Sequence, residues 1–312
     1  MASKREQLEE LSIVVADTGD LEAIREYRPV DATTNPSLLL AVARQEQYAG
    51  LLREARQLAA EISPEPDTTT LCNAFATLTG RLVLEHIPGQ VSTEVDARLS
   101  FDTAASIERA RTLAALYREL GVDREQFLIK LAATWEGIRA AEVLELEGIR
   151  CNITLVFSLE QALAAAQAGA TLVSPFVGRI HDWYLRQGHE INTPEEDPGV
   201  QSVREIYRTL KGLNLDTIVM GASFRSAAQV EALAGCDRLT ISPKLLEELA
   251  GDEGHLEPAL GDDEVEPLPE PVPVTEAQFR WALNENAMAT DLLADGIRRF
   301  ARDQEALEAL LG

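Results

Sequence analysis

The chain has 312 residues, of which 46% are hydrophobic and 26% are charged, an ordinary composition for a globular protein of one large domain or two. Its formal net charge of −24 argues against binding to nucleic acids or to anionic lipid surfaces. No apolar run approaches the roughly 18 residues that a membrane-spanning helix needs.

Short β-rich segments alternate with amphipathic helical segments along the chain. Residues 1–12 predict a surface helix and carry no apolar signal core, so we expect a cytoplasmic protein. Strands are predicted at Ile13–Thr18, Asp31–Asn35, Val91–Val95, Phe127–Ala132, Cys151–Phe157, Leu172–Val177, Ile218–Phe224 and Arg238–Ser242. Helices are predicted at Ala104–Leu120, Trp135–Glu147, Leu159–Ala168 and Ala227–Leu233, with helical insertions at Leu38–Glu85 and Ile180–Lys211.

About eight strand–helix units predict a parallel sheet closed into a (β/α)₈ TIM barrel with additional helices. An open doubly wound sheet is the alternative, but the Gly-rich first turn that usually accompanies it is not visible.

The last part of the chain departs from this repeat. Gly251–Pro273 is rich in acidic residues, among them Asp262, Asp263 and Glu264, and in prolines, and has no Lys or Arg. We interpret it as an exposed, mobile surface loop. Helical patterns resume within residues 275–312, at Thr275–Trp281 and Asp291–Leu310, and are expected to pack on the barrel, so that residues 1–312 form one domain.

The cysteines and histidines predict no metal or disulfide site. Cys72, Cys151 and Cys236 are far apart and odd in number, as expected for small buried residues in a reducing compartment. The four histidines lack metal-ligand spacing, and the chain has no Gly-rich nucleotide motif.

Lys130 is the most informative residue, because it lies within the apolar strand Phe127–Ala132. Lysine is rarely buried, and burial of an amine disfavours its charged form, which leaves a neutral nucleophile. The alternative is a lysine whose stem runs along the sheet until its amine reaches solvent or a salt bridge. This strand alone leaves both interpretations open.

Polar residues lie on the other strands as well, towards the barrel end where active sites are found. They are Asp17, Asn35, Glu94, Asn152 with Thr154, Ser174 with Arg179 just beyond its strand, and Ser223 with Arg225. Because side chains alternate between the two faces of a strand, Asn152 and Thr154 are predicted to share one face of their strand. Ser174 and Phe176 are predicted to share one face of the next strand. An amine, two carboxylates, amides and two cations are what an imine-forming aldol enzyme needs for a phosphorylated sugar.

Seven motifs in chain order resemble those of the transaldolase family. They are Val14–Gly19, Asp31–Ser37, Val91–Arg98, Ile129–Ala132, Cys151–Leu155, Ser174–Arg179 and Val219–Arg225. They span nearly the whole chain, which is most similar to the longer bacterial and eukaryotic branch of the family. The acidic segment is the main stretch without a good match.

This resemblance implies a barrel enzyme of the pentose phosphate pathway. It implies transfer of a dihydroxyacetone unit from sedoheptulose 7-phosphate to glyceraldehyde 3-phosphate, giving erythrose 4-phosphate and fructose 6-phosphate. It also implies no cofactor or metal, a cytosolic location and commonly a homodimer.

The resemblance also implies a role for each site residue. Lys130, on the fourth strand, attacks the C2 ketone to form a Schiff base. Glu94 moves protons through a water held by Thr154, and Asp17 takes the C4-hydroxyl proton as the C3–C4 bond breaks. Hydroxyls are bound by Asn35, Asn152 and Ser174, and the phosphate by Arg179, Ser223 and Arg225.

Two alternative functions do not involve transfer of the three-carbon unit to an acceptor. A fructose 6-phosphate aldolase would release free dihydroxyacetone, but such relatives are shorter and carry Tyr where this chain has Phe176. A barrel retained as an interaction scaffold would have no aldol activity, and the complete set of Lys130, Asp17 and Glu94 argues against it.

Overall fold

The computed structural model describes residues 2–261 and 265–312. Eight parallel strands close into a barrel, because each strand pairs with the next along the chain and the last pairs with the first. The strands are β1 (Ile13–Asp17), β2 (Asp31–Thr33), β3 (Val91–Glu94), β4 (Phe127–Ala132), β5 (Cys151–Val156), β6 (Leu172–Pro175), β7 (Ile218–Gly221) and β8 (Arg238–Ile241). The predicted (β/α)₈ barrel is confirmed, and the open sheet is wrong.

Helices surround this barrel at all the predicted places. They are α1 (Lys4–Leu11), α2 (Leu21–Tyr27), α3 (Pro36–Ala43), α4 (Ala49–Ile62), α5 (Thr68–Leu84), α6 (Thr103–Glu119), α7 (Trp135–Leu146), α8 (Leu159–Gln167), α9 (Val177–Arg186), α10 (Pro198–Gly212), α11 (Ala227–Glu231), α12 (Pro243–Ala250), α13 (Glu276–Glu285) and α14 (Ala287–Leu311). Within the two described ranges, none of them has the length and continuous hydrophobicity of a transmembrane segment.

Most strands end one to three residues earlier than the sequence indicates, because the residues after them already belong to the connections. Asn35 caps α3 by accepting a hydrogen bond from Leu38 N at 2.9 Å, and Pro36 takes the first helical position. Ser223 has φ 64°, in the left-handed region, so β7 cannot continue to Phe224. The ends of the strands thus lead directly into the loops that form the site.

A small apolar cluster, separate from the main core, fills the interior of the barrel. It consists of Val15, Leu128, Leu172 and Met220, which come from β1, β4, β6 and β7. The main core lies outside the strands, between the barrel and its helices. Packed side chains therefore close the barrel below the polar strand ends, as expected for this fold.

The C-terminal helix α14 packs over the end of the barrel where the strands finish. Its residues Leu292 and Phe300 share an apolar cluster with Leu155 and Phe176 from the barrel. The helix is also held by polar contacts, since Ser37 Oγ donates to an oxygen of Asp303. A second contact joins the Arg98 guanidinium to Glu308.

The connection between α12 and α13, which contains the acidic segment, has neither helix nor strand within its described residues, 251–261 and 265–275. Parts of it contact the barrel helices. Leu268 N donates to Gly212 O at 2.7 Å, and Val274 N donates to the side chain of Gln167 at 2.8 Å. The acidic residues Asp262, Asp263 and Glu264 lie outside the described residues.

Candidate active site

A cavity opens at the ends of the strands. It is lined by Asp17, Thr33, Asn35, Lys130, Ser174, Phe176, Arg179, Met220, Ala222, Ser223, Thr240 and Phe300. The predicted site residues among them are Asp17, Asn35, Lys130, Ser174, Phe176, Arg179 and Ser223. The other four, Glu94, Asn152, Thr154 and Arg225, are not part of the lining. Glu94, Asn152 and Arg225 contact the lining residues Lys130, Ser174 and Ser223 respectively.

Lys130 occupies the wall of the cavity and is only 6% exposed. Its neighbours in register are Glu94 on β3 and Asn152 on β5, so three polar residues stand side by side in the barrel. The Nζ atom lies 3.9 Å from Glu94 Oε2 and donates to Thr34 O at 3.4 Å. The amine therefore does not reach solvent, and its salt-bridge partner is a carboxyl of the same site.

Glu94 carries a carboxyl that is buried beside Lys130. Burial raises its pKa to about 7, against the smaller opposing effects of the positive charges on Lys130 and Arg179. Its Oε2 atom and the buried hydroxyl of Thr154 have no hydrogen-bond partner among the described residues. A carboxyl in this state can both release and accept a proton near neutral pH.

Asp17, at the end of β1, is held by Thr33, which in turn contacts Thr240. Thr33 Oγ1 donates to Asp17 Oδ1 at 3.2 Å and lies 3.0 Å from Thr240 Oγ1. Burial raises the pKa of Asp17, whereas the Lys130 charge and the Thr33 hydrogen bond lower it. Both carboxyl groups near the amine thus have pKa values above the ordinary ones.

The amides and hydroxyls form a chain of hydrogen bonds inside the barrel. Ser174 Oγ donates to Asn152 Oδ1 at 2.7 Å, and Asn152 Nδ2 donates to Ser92 Oγ at 3.1 Å. The Oδ1 atom of Asn35 is engaged in capping α3, so Nδ2 is the atom with which Asn35 can donate to a ligand.

Two arginines approach the cavity in different ways. The Arg179 guanidinium contacts the Phe176 and Phe300 rings, with Cζ 4.8 and 5.4 Å from their centroids. Burial and, to a smaller extent, the charge on Arg299 lower the pKa of Arg179. Arg225 instead pairs with Asp182 at 2.8 Å and reaches the cavity only through Ser223, to whose Oγ it donates at 3.3 Å.

Comparison with known proteins identifies the family to which this chain belongs. The family model described as Transaldolase/Fructose-6-phosphate aldolase matches residues 14–311. The chain belongs to this family. Proteins named Transaldolase from Marinobacter nauticus, Alteromonas mediterranea and Rhizobium leguminosarum are 56%, 54% and 53% identical to it. These alignments cover 99–100% of this chain and 97–98% of the relatives. The resemblance drawn from the seven motifs is confirmed.

Several lining residues of this family member escape the sequence prediction. Thr33 could be predicted from the alternation of side chains along a strand, because it lies two residues before Asn35. Thr240 lies in a predicted strand, but nothing in the neighbouring sequence indicates that it lines the cavity. Phe300 comes from α14, far along the chain from the last strand. Only the packing of that helix over the barrel brings its ring into the site.

The raised pKa of Glu94 predicts a dependence of stability on pH. In the unfolded chain the group titrates near its ordinary value of 4.5, and in the folded protein near 7. Between these values the folded state binds more protons, so the stabilisation present below pH 4.5 is lost as the pH rises through 7. At roughly 1.4 kcal/mol per pKa unit, the free energy of unfolding relative to Glu94→Gln should fall by about 3 kcal/mol.

Urea unfolding of both proteins across this pH range measures the difference. Glu147→Gln is the control, because an exposed ion pair with Arg111 lowers the pKa of Glu147. Relative to that variant, the wild-type protein should gain stability as the pH rises. A Glu94→Gln difference that is independent of pH would mean that Glu94 is ionised in the folded protein throughout.

Proposed function

We propose that this chain is a transaldolase, which transfers a dihydroxyacetone unit from sedoheptulose 7-phosphate to glyceraldehyde 3-phosphate through a Schiff base on Lys130. The observation that carries the proposal is the buried Lys130 amine, which shares one site with two carboxyl groups of raised pKa, Asp17 and Glu94. Such a set supplies a nucleophile and two separate proton carriers.

Imine formation uses Lys130 and Glu94. The amine nitrogen adds to the C2 ketone, and the resulting carbinolamine loses its oxygen as water when that oxygen receives a proton. Glu94 is the nearest carboxyl in register with Lys130, and its pKa of about 7 suits the donation. The unpartnered Thr154 hydroxyl gives a water a binding partner on this side of the amine.

Cleavage and transfer use Asp17. The carboxylate takes the proton of the C4 hydroxyl while the C3–C4 bond breaks, and the electron pair moves into the iminium to give an enamine. The first aldehyde leaves, and the enamine attacks the carbonyl of the acceptor, whose new alkoxide recovers the proton from Asp17. Hydrolysis of the iminium then frees Lys130.

The remaining residues bind the substrate in this proposal. Asn35, Asn152 and Ser174 hold the hydroxyls of the three-carbon unit near Lys130. Arg179, Ser223 and Arg225 bind the phosphate, and this local positive charge offsets the acidic surface of the protein. The resemblance to the family adds the expectation of a cytoplasmic homodimer in the pentose phosphate pathway.

The dependence of activity on the donor and acceptor sugars distinguishes the proposed function from its alternatives. The purified protein should convert fructose 6-phosphate and erythrose 4-phosphate to sedoheptulose 7-phosphate and glyceraldehyde 3-phosphate, and it should release little dihydroxyacetone from the donor alone. Rapid release of dihydroxyacetone without an acceptor would identify a fructose 6-phosphate aldolase. A folded protein that does neither reaction would be a scaffold.

A further inference from the structure

The Arg179 guanidinium is held by aromatic rings rather than by carboxylates. Both ring centroids lie within the roughly 6 Å over which a cation is attracted to an aromatic face. Phe176 follows β6 of the barrel, whereas Phe300 belongs to α14 and is only 3% exposed. One side of this cation site is therefore supplied by the C-terminal helix.

This way of holding Arg179 preserves its charge and its hydrogen-bond donors. Among the described residues Arg179 has no salt bridge, and its buried Nη1 atom has no hydrogen-bond partner. Arg225, in contrast, gives Nε and Nη2 to Asp182. A ring fixes the plane of a guanidinium without neutralising it, so Arg179, which lines the cavity, remains a charged donor for an anion there.

The helix approaches the guanidinium closely because residue 296 is glycine. Gly296 lies one turn before Phe300, and a Cβ atom at this position would lie 3.1 Å from Arg179 Nη1 and 2.7 Å from Leu155 Cδ2. A side chain there would require the Leu155 side chain, the guanidinium or the helix to shift. The Arg98–Glu308 and Ser37–Asp303 contacts hold the same helix against the barrel.

We propose that Phe300 is a positioning residue that orients the Arg179 guanidinium towards the substrate phosphate, so that α14 forms part of the phosphate site. This inference rests on the proposed function, in which Arg179 binds that phosphate. It goes further in assigning a role in substrate selectivity to a helix outside the strand–helix repeat.

Phe300→Leu tests the inference, because leucine keeps an apolar side chain at this position but removes the ring face. The KM for fructose 6-phosphate should rise about 3- to 30-fold, the range that corresponds to one cation–π contact. The KM for fructose as donor, and kcat with either donor, should change little. The inhibition constant of inorganic phosphate should rise by the same factor as the KM for fructose 6-phosphate.

Phe279→Leu on α13 is the matched control, because Phe279 is equally buried but packs against Trp135. It should leave the ratio of the two KM values unchanged. Gly296→Ala, which crowds the guanidinium sterically, should also raise the KM for fructose 6-phosphate more than the KM for fructose. This variant replaces Phe300→Leu in the test if Phe300→Leu does not fold. Circular dichroism and thermal melting establish that each variant is folded.

Arg179→Ala separates failure of this inference from failure of the proposed function. If Arg179→Ala leaves phosphate selectivity intact, the proposed phosphate site is wrong. If Arg179→Ala removes the selectivity but Phe300→Leu raises the KM for both donors equally, Phe300 is structural and the inference is overturned. In the Arg179→Ala background, Phe300→Leu should have no further effect on selectivity, and an additive effect would also contradict the inference.

Discussion

Lys130→Met should abolish aldol transfer and leave the barrel folded. The change removes the amine that forms the imine but keeps an unbranched side chain of similar length, so the wall of the cavity stays filled. The lost ion pair with Glu94 is long, at 3.9 Å, and Glu94 can remain neutral because its pKa is about 7. The expected loss of activity therefore comes from chemistry and not from unfolding.

Chemical trapping identifies the reacting lysine directly. Fructose 6-phosphate followed by borohydride should leave a reduced three-carbon adduct on Lys130. With no acceptor to remove it, the enamine is protonated to an iminium, which borohydride reduces. Peptide mass mapping locates the adduct, and Lys244→Met, which alters an exposed lysine on α12, should retain both the adduct and full activity. An adduct on a different lysine would assign the chemistry to that residue instead.

The strands could be predicted from the sequence because a buried parallel strand leaves a local signal. Lys130 is conspicuous among the apolar residues of β4, and period-two alternation gives the faces of Asn152 and Thr154. Strand ends are less accurate because caps compete with the sheet, as Asn35 does when it begins α3. The predicted elements were therefore more reliable than their boundaries.

The contacts within the site could not be predicted, because they join residues far apart in the chain. Nothing in the sequence pairs Arg225 with Asp182, so Arg225 is predicted only as a phosphate-binding residue, whereas the structure has it paired with that carboxylate. Likewise Thr33 meets Thr240 only because β8 closes the barrel beside β1. Alternation gives the face of a residue but not its partner across the barrel.

Asp17→Asn should separate imine formation from carbon–carbon cleavage. Asparagine keeps the size of the side chain and its acceptor for the Thr33 hydroxyl, but it cannot take the C4-hydroxyl proton. A positioned general base contributes about 10²–10⁴-fold, so kcat should fall by this factor while KM changes little. Asp20→Asn, three residues further on, is the control, because an amide can still cap α2 there.

The adduct trapped on this variant decides which proton transfer Asp17 performs. Glu94, on a different strand, should still serve the dehydration of the carbinolamine, so Asp17→Asn should form the Lys130 imine with fructose 6-phosphate. Because cleavage then lags behind, borohydride should trap the six-carbon sugar instead of the three-carbon unit. If the variant is folded by circular dichroism but forms no imine, Asp17 acts before cleavage. In that event Asp17 acts on the Lys130 amine or on the first proton transfers, and the roles of the two carboxyl groups must be reassigned.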